Sequence, residues 1–153
     1  MTGVPGETER LRIERACERL VLEAAHRNDT HDYEGYAALF TADGMLIRPD
    51  GSEARGRPAI RAAYASRPAN RMTRHLCTNI RVEVLSAERA TGLTLALVFG
   101  ADASLPPPDH FGHVADGRVL LGQFEDEFER IAEGWRIARR RARFLMRLPE
   151  PGR

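Results

Sequence analysis

The chain has 153 residues, 23 basic and 22 acidic, giving a formal net charge of +1, and every basic residue is arginine. Without lysine there is no Schiff-base chemistry, no lysine nucleophile and no lysine phosphate clamp. The balanced charge supplies no long-range field for nucleic acid or an anionic membrane, and 42% apolar with 29% charged residues predicts one globular domain over 1–153, its core at about 7–147.

Residues 7–28 read as an amphipathic helix, with Ile13, Ala16, Cys17, Leu20, Val21 and Ala24 at helical spacing and Glu7 and Glu9 in the first turn. Asp32 is placed to cap a second, shorter helix running to Phe40. Thr41-Ala42-Asp43-Gly44 reads as a turn, Met45-Leu46-Ile47 as a short strand and Pro49-Asp50-Gly51-Ser52 as another turn. Gly56-Arg57-Pro58-Ala59-Ile60 opens a third helix with proline at its first position, and that helix ends before Pro68. From residue 71 the period becomes alternating, and strands are predicted at 73–86, 88–101, 118–131 and 135–146. The long connection 103–117 carries Pro106, Pro107 and Pro108 and reads as a lid, with Phe111 closing a cavity. This is α+β order: a curved antiparallel sheet wrapped around three N-terminal helices, concave and partly apolar inside.

Leu93–Phe99, among the longest apolar stretches, is too short to span a bilayer, and MTGVPGETERLR holds no signal-peptide core. Two cysteines, Cys17 and Cys77, make no disulfide framework, and a reducing cytoplasmic location is expected. No glycine-rich phosphate loop is present. His110 and His113 with Asp109 lack a third ligand fixed on a regular element, so no metal and no cofactor are expected. His26 and His31, at the exit of the first helix, read as surface residues. Arg139, Arg140, Arg141 and Arg143 face Glu125, Asp126, Glu127 and Glu129 across a hairpin, which makes the arginine run a strand partner rather than a nucleic-acid site. A turn at Glu133-Gly134 sets Asp126 opposite Arg141, or one register step away.

Several segments, taken in order, resemble the SnoaL-like group of the nuclear-transport-factor-two-like superfamily, on its scytalone-dehydratase-like branch. They are Asp29-Thr30-His31-Asp32-Tyr33, Ala37 to Gly44, Gly56 to Ile60, Arg74-His75-Leu76-Cys77-Thr78-Asn79, and Gly122 to Asp126 with Gly134 to Ile137. The resemblance implies a cone-shaped α+β barrel and a cavity that takes a small hydrophobic ligand. It also implies a homodimer made through the outer sheet face. Members include dehydratases, a dehydrochlorinase, isomerases, polyketide cyclases and non-catalytic subunits of ring-hydroxylating dioxygenases, so the fold does not fix the function.

Asp29 and His75 match the aspartate and histidine that pair in the dehydratase-like members. They stand 46 residues apart, so only the fold can join them. A neutral imidazole can move a proton near pH 7, and a carboxylate on its other nitrogen fixes the tautomer. A structural reading is also open, with Asp29 ending a helix and His75 satisfied in the core. Asn28 stands where scytalone dehydratase has tyrosine, and no tyrosine occurs at Ile47–Pro49. Tyr33, Tyr36, Met45, Tyr64, Phe99, Phe111 and Phe124 are candidates for contact with substrate, with Ile60 and Phe144 as further lining. The expected function is a cofactor-independent lyase or isomerase acting on a hydrophobic cyclic compound. The alternative is a ligand-binding or accessory subunit resembling the small subunit of ring-hydroxylating dioxygenases.

Overall fold

The computed structural model describes residues 5–148; the two ends of the predicted domain, 1–4 and 149–153, lie outside the described residues. Helix α1 spans Glu7–Asp29, and its stripe of Ile13, Cys17, Leu20, Val21 and Ala24 is buried. It ends where the Thr30 N–H bonds back to the His26 carbonyl and His31 takes a left-handed φ of 60°. Asp32 caps α2, Tyr33–Ala38, by accepting from the Gly35 N–H at 2.9 Å.

Helix α2 stops two residues short of the expected Phe40. The segment read as a turn, Thr41 to Gly44, belongs instead to strand β1, Phe40–Ile47, followed by the short β2, Glu53–Arg55. The turn residues are real signals, and they mark an irregularity within β1 between Phe40 and Met45 rather than a chain reversal. Helix α3, Arg57–Ala65, starts from Gly56, whose φ of 81° suits glycine.

Four long strands follow: β3 Arg71–Val84, β4 Arg89–Asp102, β5 Leu120–Ile131 and β6 Gly134–Arg147. The six-stranded sheet has the order β2-β1-β6-β5-β4-β3. It is mostly antiparallel, but β1 runs parallel to β6, a pairing the alternation in the sequence does not reveal. Bulges in β3 between Thr78 and Arg81, with Asn79 at φ 51°, and in the β5–β6 pair add to its curvature. The sheet forms an open cone around α1. The core joins the α1 stripe to Tyr36, Phe40, Leu46, Ile60, Phe128 and Ile137.

The register of the β5–β6 hairpin decides what faces the interior. The turn is Ala132-Glu133, one residue earlier than expected, because Ile131 pairs with Gly134. A shift between Glu127 and Phe128 then places Asp126 opposite Arg140, one step from the expected Arg141. Ala138 is the extra residue, and it puts Arg140 on the same inner face as Ile137.

Candidate active site

Asp29, the last residue of α1, reaches the start of β3. Its Oδ1 lies 2.6 Å from His75 Nδ1 and accepts from the Thr73 hydroxyl at 2.9 Å, while Oδ2 accepts from the His75 backbone N–H at 2.8 Å. Three donors therefore fix one carboxylate, and both side chains are about nine-tenths buried. Burial pushes the Asp29 pKa up. The hydrogen bonds and charge of His75, with the Thr73 hydroxyl, outweigh that and hold it below the ordinary value of 3.8. With Nδ1 engaged, Nε2 is the ring nitrogen left for the cavity that His75 lines.

That cavity is about 60 Å³ and lies between the end of α1, α3 and the inner faces of β4, β5 and β6. Tyr36, Tyr64, Phe124 and Phe144 line it with His75, Arg140 and Arg67. Burial pushes the Tyr36 phenol well above its ordinary value of 10, so it stays a neutral hydroxyl, 3.4 Å from the Tyr64 hydroxyl. Arg140 is 2% exposed; its Nε and Nη2 each donate to Asp126 at 2.7 Å, and the guanidinium lies 4.4 Å from the Phe124 ring centre. Arg67 donates to the Asn28 side-chain oxygen at 3.0 Å and stacks 4.4 Å from the Tyr64 ring centre.

Of the residues expected to touch substrate, Tyr36, Tyr64 and Phe124 stand at the cavity, and four do not. Tyr33 stacks between His31 and Tyr64 outside it. Met45 is on β1 with its neighbour Leu46 turned into the core. Phe99 alternates with the lining residue Val98 and so faces outward. Phe111 is 84% exposed, and the loop expected as a lid is tied back by Arg71–Asp116 at 2.7 Å and by the Asp116 N–H on the Gly100 carbonyl at 2.8 Å. Ile60 is core, and His31 donates to the Arg71 carbonyl at 2.8 Å on the surface.

Arg140, Arg67, Arg143 and Asn28 are the polar lining that sequence reading misses. For Arg140 the only signal is a run of arginines, and the bulge selects which one turns inward. Among the described residues no three His, Cys, Asp or Glu side chains stand close enough to hold a metal ion. Purified protein is expected to carry no stoichiometric zinc or iron by elemental analysis; metal lost on substituting His110 or His113 would contradict this. Burial pushes the Cys17 thiol up to about 12 and raises Cys77, so neither offers a thiolate near neutral pH. No helix among the described residues is long and apolar enough to cross a membrane.

The family of SnoaL-like domains matches residues 9–141. The chain belongs to the SnoaL-like family. Among solved structures, this SnoaL-like protein is similar to a protein of unknown function from Mycobacterium tuberculosis, at 31% identity and TM-score 0.72, over 93% of this chain and 78% of that one. A putative scytalone dehydratase from Novosphingobium aromaticivorans matches at 22% identity and TM-score 0.76, over 97% and 94%. A hexachlorocyclohexane dehydrochlorinase, LinA-type3, from Novosphingobium barchaimii matches at 18% identity and TM-score 0.79, over 97% of each chain. The last two show a shared fold. No curated protein matches this SnoaL-like chain.

Proposed function

We propose that this SnoaL-like protein is a cofactor-independent lyase or isomerase, dehydratase-like, acting on a hydrophobic cyclic compound. The observation that carries this is the Asp29–His75 pair at 2.6 Å, with the second imidazole nitrogen presented to a cavity lined by aromatic side chains. His75 Nε2 takes a proton from the carbon next to a carbonyl. The electron pair of that C–H bond becomes the new C=C bond as the neighbouring hydroxyl leaves with its own pair. The imidazolium then returns the proton to the departing oxygen, forming water. Asp29 stabilises the imidazolium between the two transfers. Arg140, held at the cavity wall by its two bonds to Asp126, brings a positive charge that would favour negative charge developing on the substrate's oxygens.

The test is turnover of cyclic β-hydroxy ketones followed by chromatography. The wild-type chain is expected to eliminate water, and His75→Ala to be folded by circular dichroism and slower by about 10²–10⁴-fold. Equal rates in the two proteins would overturn the proposal.

A second reading, a non-catalytic ligand-binding or accessory subunit, is favoured by the small volume of the cavity, about 60 Å³, against the several hundred Å³ common for ligand sites. Under it, His75→Ala and Asp29→Asn lower the melting temperature and leave ligand binding unchanged. The proposal extends to a cytoplasmic homodimer. Leu76, Leu93, Leu97 and Phe99 are exposed together on the outer face of β3 and β4, a patch that association would cover. Sedimentation at micromolar concentration is expected to show a dimer, and Leu97→Glu a monomer; a wild-type monomer would contradict it.

A further inference from the structure

The polar groups around the cavity are unevenly matched. Its lining includes three guanidinium groups and an imidazole, from Arg67, Arg140, Arg143 and His75, and no carboxylate among the described residues. The nearby carboxylates are already committed. Asp29 accepts from His75 and Thr73, Asp126 is bidentate to Arg140, and Glu125 takes Arg143 at 2.6 Å and the Gln123 amide at 3.0 Å.

Arg67 is different. Among the described residues it has no carboxylate partner; its contacts are the neutral oxygen of Asn28 at 3.0 Å and the face of Tyr64 at 4.4 Å. Both contacts hold the guanidinium in place without neutralising it. A guanidinium has five N–H donors and no acceptor. Because Asn28 accepts from Arg67 through its oxygen, its NH₂ is the donor end left to the cavity it lines. The Asn28–Arg67 end of the cavity is therefore rich in donors, carries an uncompensated positive charge and is already ordered.

We propose that the cavity binds a small carboxylic acid as its anion, with the carboxylate held by Arg67 and Asn28 and the apolar body against Val98, Phe124 and Phe144. The planar fork of a guanidinium matches the two oxygens of a carboxylate, and hydrogen bonds between charged groups are the stronger kind. Arg143 and Phe144 are partly exposed, so the ligand body can extend past them toward solvent. This inference deepens the lyase or isomerase reading by naming the substrate class, and it takes from that reading that the cavity admits a ligand.

The probes are benzoate and its neutral isostere benzamide, titrated calorimetrically into the full chain at low ionic strength. Benzoate is expected to bind at least about tenfold more tightly than benzamide, the scale of one charge-assisted contact. Arg67→Gln should abolish that preference while changing benzamide affinity little, and Arg67→Lys should restore part of it. His75→Ala should keep the preference, so a failed turnover assay with the preference intact would sink the acid–base reading and leave this one standing. Equal affinities for the two probes in the wild-type chain, no binding of either, or an undiminished preference in folded Arg67→Gln would overturn it.

Discussion

Arg140→Met is expected to destabilise the fold by about 3–5 kcal/mol, because it strands the Asp126 carboxylate in the interior. The Asp126 side chain is 0% exposed, and its two oxygens accept from the two Arg140 nitrogens at 2.7 Å. Removing the guanidinium leaves a desolvated charge whose hydrogen bonds are gone. For a domain of this size the loss corresponds to a fall in melting temperature of about 6–20 °C. The double variant Arg140→Met with Asp126→Leu should recover much of the stability, since replacing both partners by apolar side chains removes the stranded charge. Arg143→Ala is the control. Its ion pair with Glu125 is over a third exposed on both sides, and less than about 1 kcal/mol is expected to be lost. Thermal melts of the four proteins check all of this, and a loss for Arg140→Met no greater than for Arg143→Ala would contradict it.

Asp29→Asn is expected to lower turnover by as much as about 10⁴-fold while keeping the chain folded, the scale seen when the aspartate of a catalytic triad is made neutral. An amide can still accept from Thr73 or His75 with its oxygen, but it cannot stabilise an imidazolium. It also allows the wrong ring tautomer. A pH effect on stability comes with it. The folded-state pKa of Asp29 lies below the ordinary 3.8, so the unfolded chain takes up a proton first as the pH falls. The stabilisation is therefore complete above the ordinary carboxylate pKa and is lost as pH drops through the lowered value. Denaturant melts from pH 6 to pH 2.5 should show the wild type losing more stability than Asp29→Asn over that acid window. Parallel curves would contradict the assignment.

What the sequence makes legible here is local or inherited. The stripe from Ile13 to Ala24 and the Asp32 cap show at helical spacing, and both are found. The meeting of Asp29 and His75 has no local signal; it is expected because several segments in order resemble a family whose fold joins those positions. The features that escape depend on small irregularities. A bulge at Ala138 chooses Arg140 over its neighbours for the interior, and nothing in the run of arginines and alanines from Ala138 to Arg143 marks that choice. The run Thr41 to Gly44 carries turn residues yet lies inside β1, an irregularity between Phe40 and Met45, which both pair with a strand nearly a hundred residues later. Phe99 and Phe111 look like cavity residues by type, but strand alternation and a tethered loop turn them to solvent. The Arg67–Asn28 contact joins two residues that are individually unremarkable and 39 apart in the chain.

The central claim is that Asp29 holds His75 with its proton on Nδ1 and leaves Nε2 as a base open to the cavity. Nitrogen-15 NMR of the His75 ring, recorded at a pH where imidazole is neutral, tests it most directly. The structure predicts a protonated Nδ1 hydrogen-bonded to a carboxylate, an unprotonated Nε2, and loss of that pattern in Asp29→Asn. A proton on Nε2 in the wild-type protein, or a spectrum indifferent to Asp29→Asn, would contradict it.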